Sequence, residues 1–270
     1  MEFEYNLLTS LSSLVFSIVI VIFGRKLLFK LPKLKETYVH NKQENHRKLQ
    51  SKRDKYSGRL SSSNKIALAT NVVFFIGILP FFITFESQSV GTIALHSFLI
   101  LMVYDFCYYL THRFLFHGQG YFRKVHGIHH QARTRVSSVD SLLLHPLEVF
   151  IGIALFFTVI AVLSLLLSSP FQVATIVITT LIYTQINQIN HTRIDLDGCG
   201  FPYNLLNWIA RSHDAHHITM HKGNYATITL LYDWLFGTLE PVDQPEQLAA
   251  TAATPASEEN SKIAHGVTAA

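Results

Sequence analysis

Charged residues are scarce in this 270-residue chain, since Asp, Glu, Lys and Arg together make up only 15% of it. Apolar residues make up 49% and the mean hydropathy is positive, a balance that excludes an ordinary soluble domain and favours a membrane protein. Cysteine is also rare: Cys107 and Cys199 form no Cys-x-x-Cys pair, which argues against a disulfide framework and a zinc knuckle. The sequence shows no internal repeat, no Ser or Cys nucleophile motif, and no haem or flavin motif.

Two residue types are unevenly distributed. Of the 22 Lys and Arg residues, 13 lie between Arg25 and Lys65, whereas that stretch holds three acidic residues. A basic block beside apolar spans is typical of a cytoplasmic loop near anionic lipid, and we prefer this interpretation to nucleic-acid binding. Histidine occurs 15 times, far more often than chance places it, and this excess is the first indication of function.

Five apolar stretches approach the about 20 helical residues that cross a bilayer. They are residues 7–23, 66–85, 91–110, 149–167 and 171–186. The first has acidic residues before it and basic residues after it, the reverse of a signal peptide, so we expect an anchor with its N-terminus outside. Short turns join the second span to the third and the fourth to the fifth, which predicts two helical hairpins. We therefore expect an all-α integral membrane bundle of four to five transmembrane helices.

With the basic block placed in the cytoplasm, the loops after the third and fifth spans are cytoplasmic as well. Those loops hold twelve of the fifteen histidines, and the exceptions are His40, His46 and His96. The charge pattern therefore places the histidine clusters together on one face of the membrane. Residues 1–90 are predicted to form the anchor, basic loop and second span, residues 91–240 the catalytic domain, and residues 241–270 a disordered tail.

The histidines are spaced as metal ligands are. His112 and His117 are five apart, so on an ideal α-helix they point about 140° from each other. Two His-x-x-His-His motifs follow, and spacings of three and four put each trio on one helical face, where it can converge on metal. One further histidine precedes the fourth span and one follows the fifth. The candidate ligands are therefore His112, His117, His126, His129, His130, His145, His191, His213, His216 and His217.

Ten imidazoles exceed the needs of zinc, because a structural zinc takes about four ligands and a hydrolytic zinc about three. Five nitrogens for each of two ions fit better. Imidazole suits iron, zinc, copper and nickel alike, so residue type alone does not identify the metal. His40, His46, His96 and His265 are isolated and are not expected to bind metal, while His221 suits a ligand role and a supporting role equally.

In their order along the chain, these motifs resemble the fatty-acid hydroxylase and sterol desaturase superfamily. The resemblance covers about residues 91–240 and includes the HPLE of residues 145–148, Asn224-Tyr225 and the closing segment 233–238. It implies a cytosolic helical cap with a histidine-rich dimetal site, in which the ten histidines hold two iron ions. It also implies that Asp105, Asp214 and Asn224 orient ligating imidazoles. It also implies that a lipid or sterol from the bilayer is hydroxylated or desaturated with dioxygen and two electrons.

Because the sequence shows no haem or flavin motif, we expect the electrons to come from a separate donor: cytochrome b5, ferredoxin or a reductase. The active site is expected on the cytoplasmic side, of the endoplasmic reticulum in a eukaryote or the inner membrane in a bacterium. One departure concerns Asn187-x3-His191, where the fatty-acid 2-hydroxylase branch has a His-x3-His pair. His145 is the candidate tenth ligand, and the difference points away from that branch.

Other functions remain open at this stage. A sterol C4-methyl oxidase, a C5-desaturase and an ether-lipid monooxygenase would all use the same site. A non-oxidative metal-binding membrane protein or a zinc hydrolase is the alternative of a different class. A metal transporter would place ionisable residues within its spans, whereas these spans contain essentially none beyond His96 and Asp105.

Overall fold

The chain is helical almost throughout the part that the computed structural model describes, namely residues 4–51, 53–131, 136–192, 196, 198–218 and 222–241. Nine α-helices lie within those ranges: α1 (Leu7–Leu28), α2 (Pro32–Ser51), α3 (Arg53–Val72), α4 (Val90–Leu110), α5 (Tyr121–His126), α6 (Pro146–Leu166), α7 (Val173–Asn190), α8 (Tyr203–Ile218) and α9 (Leu231–Leu235). Two short strands, β1 (Ile83–Thr84) and β2 (Phe171–Gln172), pair in parallel.

Four helical segments in the described ranges are long and apolar enough to cross a membrane. They are Leu7–Leu28, Tyr56–Phe81, Val90–Phe116 and Pro146–Leu166. This confirms the expected all-α membrane bundle. The predicted fifth span, residues 171–186, does form most of α7, but α7 is not among these four because the polar sequence of residues 184–190 lowers its hydropathy. Instead, α7 packs between α1 and α4.

Two of the spans contain a π-helical turn. Val73–Ile78 continues α3 in this form, and Thr111–Phe116 continues α4. A π-turn disturbs the regular helical hydrogen bonds, and in the first case α1 and Tyr5, which precedes it, supply replacement donors. The Ser10 hydroxyl donates to the carbonyl of Phe75 at 2.7 Å, and the Tyr5 hydroxyl donates to that of Ile76 at 2.8 Å. Small buried serines on α1 allow this close approach.

The core of the bundle lies between α4, α6 and α7, and is formed by side chains such as Ile100, Tyr104, Phe156, Ile160 and Ile176. The paired strands lie at one end of these helices, where they precede α4 and α7. At the opposite end α4 and α7 finish and α6 begins. The chain therefore delivers the histidines that follow α4, precede α6 and follow α7 to the same end of the bundle.

The basic stretch that was predicted as a loop is instead helical. Pro32 begins α2 at the first helical position, where a proline is well accepted, and Lys, Glu, Gln and Leu favour a helix after it. This helix lies at the histidine end of the bundle: Asn45 accepts a hydrogen bond from the Val139 amide at 3.0 Å, and Lys48 pairs with the buried Asp140.

The residues described up to Glu240 form one structural unit. The predicted boundary at residue 90 does not separate two bodies, because α1 packs on α7 and α3 packs on α6. Residues 242–270, which make up nearly all of the predicted tail, lie outside the described residues.

Candidate metal centre

Nine of the ten candidate ligands come together in two groups. The five-histidine group consists of His112, His117, His126, His130 and His216, and the four-histidine group consists of His129, His191, His213 and His217. Within each group, one ring nitrogen from every member lies within 4.8 Å of the others. The groups adjoin, since the rings of His130 and His217 are 4.8 Å apart.

The π-turn after α4 brings His112 and His117 together. An α-helix would point residues five apart in different directions, but a π-helix bonds residue i to residue i+5 and so places these two one turn apart. The His117 amide donates to the His112 carbonyl at 2.9 Å, and the two Nε2 atoms lie 3.2 Å apart. The expected divergence is therefore wrong, because the local helix is not α.

The first His-x-x-His-His motif does not lie on one α-helical face. The helix α5 ends at His126, and His129 begins a separate 3-10 turn. The Nε2 atoms of His126 and His130 are 3.0 Å apart in the five-histidine group, whereas His129 joins the four-histidine group. One motif thus contributes to both groups.

The second motif is divided in the same way, although it lies entirely within α8. The Nε2 atoms of His213 and His217 are 3.1 Å apart in the four-histidine group, while His216 faces the other group. On an α-helix, the residue three positions after His213 points about 60° to one side of it, and the residue four positions after it points about 40° to the other side. That angle is enough to aim His216 at a different site, so the expected convergence of each trio on one metal is wrong.

Backbone carbonyls fix the tautomers of three candidate ligands. The Nδ1 atoms of His112, His191 and His216 lie 2.6, 2.8 and 2.8 Å from the carbonyl oxygens of Tyr225, Asn187 and Gly223. A carbonyl oxygen only accepts hydrogen bonds, so each Nδ1 carries the proton. In the neutral ring the Nε2 atom then presents a lone pair to its group.

The described residues offer few hydrogen-bond donors to these lone pairs. His112 Nε2 faces His126 Nε2 at 3.0 Å and His117 Nε2 at 3.2 Å, and His126 donates through its Nδ1 to Glu148 at 2.7 Å. The Nε2 atom of His216 is buried without a hydrogen-bond partner. Converging imidazole lone pairs repel one another unless a cation lies between them. The donor set therefore fits two metal ions, one in each group.

Burial keeps these rings neutral. Loss of hydration lowers the pKa of His216 to about 3 and the pKa of His191 to about 4, because the charged imidazolium is disfavoured away from water. Burial also lowers the pKa values of His213 and His217 well below the usual range. Only a neutral imidazole has a free lone pair, so burial keeps the candidate ligands in the form that could bind metal at neutral pH.

Asp105 was expected to orient a ligating imidazole, but its hydrogen bonds go to the chain that follows α8. It accepts from the amides of Thr227, Ile228 and Thr229 at 2.9, 2.8 and 3.0 Å, and from the Thr229 hydroxyl at 2.8 Å. A fully buried carboxylate needs several donors, and consecutive amides supply them. Asp105 therefore acts on the site through the segment that also carries the Tyr225 carbonyl.

Asn224 also stabilises this segment, whereas it was expected to orient an imidazole ring. It has a φ of 63°, and its side chain donates to the Ser212 carbonyl at 3.0 Å and accepts from the Glu240 amide at 2.9 Å. It thereby ties the chain after Gly223 to α8. Asp214, the third expected partner, lies half-buried on α8.

Glu148 is the orienting residue that the sequence analysis did not single out. It lies in the first turn of α6, is buried, and accepts a hydrogen bond from His126. An acidic residue in the first turn of a span was the available signal. His145 belongs to neither group, and its Nδ1 accepts the Leu147 amide at 3.1 Å as the N-cap of α6. His40, His46 and His96 are also in neither group, and His221 and His265 lie outside the described residues.

A cavity of about 20 Å³ adjoins the four-histidine group. His213 forms part of its wall together with Asn190, Ile209 and the segment from Asn224 to Leu230. The wall is mixed in character, with apolar side chains facing threonine and asparagine. This cavity lies between α8 and the chain that leads to α9.

Replacing Gly223 with alanine is expected to weaken the orientation of His216. A Cβ atom built at this glycine would lie 1.7 Å from the backbone oxygen of Thr238, so the segment must move away. The Gly223 carbonyl, which accepts from His216, would move with it. Loss of such a supporting hydrogen bond lowers metal affinity about 10- to 100-fold. Metal titration of the purified protein measures this, and Gly200→Ala, where a Cβ meets open space, is the matched control.

Comparison with known proteins agrees with this geometry. Residues 97–238, more than half of the chain, match the family described as Fatty acid hydroxylase. The chain is 29% identical over 145 residues to Methylsterol monooxygenase 2-2 of Arabidopsis thaliana, covering 51% of this chain and 49% of that protein. It is 30% identical over 142 residues to a very-long-chain aldehyde decarbonylase of Oryza sativa subsp. indica, covering 50% and 48%.

The chain thus spans about half the length of the curated relatives it matches. No solved structure matches it.

Proposed function

Because the chain belongs to the fatty acid hydroxylase family, we propose that it is a membrane-bound oxidoreductase that uses two iron ions and dioxygen to hydroxylate a C–H bond of a lipid or sterol. One observation carries the proposal: nine imidazoles converge in two adjoining groups at the end of apolar helices. Iron held by such nitrogens supplies the activation of dioxygen that oxidation of an unactivated carbon requires.

The residues of the chain hold and orient the metal pair. The nine histidines are the proposed ligands. The Nδ1 atoms of four of them, His126, His191, His216 and His112, are fixed by Glu148 and by the carbonyls of Asn187, Gly223 and Tyr225, respectively. These partners set the direction of each Nε2 lone pair before metal arrives. Burial of the rings excludes water from the site, which favours reaction with substrate over side reactions.

The proposed substrate is a long apolar molecule that stays in the bilayer. The two relatives are named for methylsterols and very-long-chain aldehydes, both of which dissolve in lipid. Beneath the site the bundle is lined with aromatic rings, and the Tyr108 ring lies 5.4 Å from that of His112. Further inside, the rings of Phe156 and Tyr183 stack, and the Tyr104 ring packs edge to face against both. A substrate chain beside these rings would present one carbon to the metal pair.

The site is proposed to face the cytoplasm. The basic helix α2 lies at the histidine end of the bundle, and basic segments stay on the cytoplasmic side of a membrane. In the family mechanism that we propose here, two electrons come from a separate protein such as cytochrome b5, ferredoxin or a reductase. The organism then determines whether the membrane is that of the endoplasmic reticulum or the bacterial inner membrane.

Metal analysis and isotope labelling test the proposal together. The purified protein is expected to hold two irons per chain, and cells that express it in labelled dioxygen are expected to accumulate a lipid that carries the labelled oxygen. His129→Ala should abolish the product while the protein still inserts. His46→Ala is the matched control, because His46 lies on the exposed side of α2 and belongs to neither group.

Other outcomes identify the competing functions. One zinc per chain with no labelled product would indicate a hydrolase and overturn the proposal. A new alkene without incorporated oxygen would indicate desaturation at the same metal pair. Metal uptake by vesicles without any lipid product would indicate transport.

A further inference from the structure

The short helix α9 and the residue after it expose a cluster of large apolar side chains. Trp234 is 66% exposed and Phe236 is 49% exposed, and Leu231 and Leu235 are exposed beside them. Asp233, on the opposite side of the same helix, is fully buried. An exposed apolar surface of this kind marks a contact with a partner or a membrane. We name these four apolar residues the α9 patch.

The contacts of Tyr232 show which part of α4 lies beside α9. The Tyr232 hydroxyl donates to the carbonyl of Met102 at 2.9 Å, and the Tyr232 ring lies 5.2 Å from that of Phe106. Met102 lies eight residues before the end of α4 at Leu110, which is about 12 Å along a helix that rises 1.5 Å per residue. If α4 crosses the membrane, α9 lies beside its membrane-embedded part rather than above it.

The surface of α4 next to α9 is apolar and exposed. Leu95 and Phe98 are 55% and 59% exposed, and they share one helical stripe with Met102 and Phe106. The α9 patch therefore continues a surface that is already apolar and open along the span. Aromatic rings with apolar neighbours at the end of a span are typical of the membrane interface.

We propose that the α9 patch lies in the bilayer leaflet nearest the metal centre, with the lipid acyl chains as its partner. The position of the patch in the leaflet controls the metal centre through Asp233, which lies in the same helix. Asp233 accepts hydrogen bonds from the amides of Tyr225 and Ala226 at 2.8 Å each. The Tyr225 carbonyl in turn accepts from His112, and the Tyr225 ring lies 5.1 Å from that of His117. The bilayer thus holds the segment that orients the five-histidine group. The lipid contact does not depend on the proposed function. Only the effect of that contact on metal binding rests on the proposed function.

Fluorescence quenching tests the lipid contact directly, because the chain has two tryptophans. Trp208→Phe leaves Trp234 as the single reporter, and Trp234→Phe is the matched control that leaves Trp208. The full chain is reconstituted in phosphatidylcholine vesicles with bromine on the acyl chains. Trp234 is expected to lose most of its emission to brominated lipid and little to iodide in the water.

Quenching by iodide without quenching by brominated lipid would overturn the proposal. Protection from both quenchers would overturn it as well, because it would mean that protein, such as a second copy of the chain, covers the patch.

The link to the metal centre has a separate test. Leu235→Glu places a charge in the leaflet, which is unfavourable, so α9 should be displaced from it. The proposal expects this variant to lose metal from the five-histidine group in vesicles, while Leu235→Ala keeps it. Full metal content in Leu235→Glu would overturn the link. A wild-type protein without metal would contradict the proposed function and leave the quenching result standing.

Discussion

Replacing Lys48 with methionine is expected to lower the free energy of unfolding by about 3–5 kcal/mol, because the change leaves a buried carboxylate without its cation. Lys48 pairs with Asp140 across 92 residues of sequence, and the Asp140 side chain is fully buried. Asp140 also accepts from the Tyr56 hydroxyl at 2.9 Å and from the Ser137 amide at 2.8 Å. Chemical unfolding in detergent micelles measures the loss.

A neighbouring ion pair provides the control. Arg47 pairs with Glu44 at 2.9 Å on the same helix, but the Arg47 side chain is 62% exposed. Solvent screens such a pair, and its removal costs at most about 1 kcal/mol. A Lys48→Met variant that is no less stable than Arg47→Met would show that the Lys48–Asp140 pair contributes nothing to the fold.

A second variant separates the charge from the shape of the lysine. In Lys48→Met/Asp140→Asn the asparagine oxygen can accept the Ser137 amide while its NH2 group donates to the Tyr56 hydroxyl, and no unpaired charge remains. This double variant should be more stable than Lys48→Met alone, since the two changes remove one interaction between them. The pair matters because α2 lies outside residues 97–238, the region matched by the family, yet fastens the segment that leads to Glu148.

The histidines of the two groups could be found from sequence because their signal is local. Imidazoles at spacings of three and four are unusual in a membrane protein, and nine of the ten chosen residues lie in the two groups. Their division between the groups could not be found in the same way. It depends on the break after His126 and on the side of α8 that each group occupies, which are properties of packing.

The relation between His112 and His117 failed for a different reason. Residues five apart point in different directions on an α-helix but lie one turn apart on a π-turn. The sequence of residues 111–116 does not indicate that a π-turn forms there. The roles of Asp105 and Lys48 were also hidden. Each meets a partner about a hundred residues away, so only the tertiary fold brings them together.

Replacing His213 with alanine is expected to lower the metal content from about two ions per chain to about one, because three imidazoles remain in the four-histidine group. His216→Ala removes a ligand from the five-histidine group instead, which keeps four. The two residues lie three positions apart on α8, so the substitutions are alike in helix and in chemistry. We therefore expect His213→Ala to release metal at lower chelator concentrations than His216→Ala. Chelator titration with metal analysis measures the order.

His145→Ala completes this comparison and decides between nine ligands and ten. Because His145 caps α6 and belongs to neither group, its replacement should cost about 1 kcal/mol of stability while both metal ions stay bound. Metal loss equal to that of His213→Ala would instead make His145 the tenth ligand. It would also mean that metal draws the start of α6 toward the site, since the Nδ1 atom that now accepts the Leu147 amide belongs to the same ring.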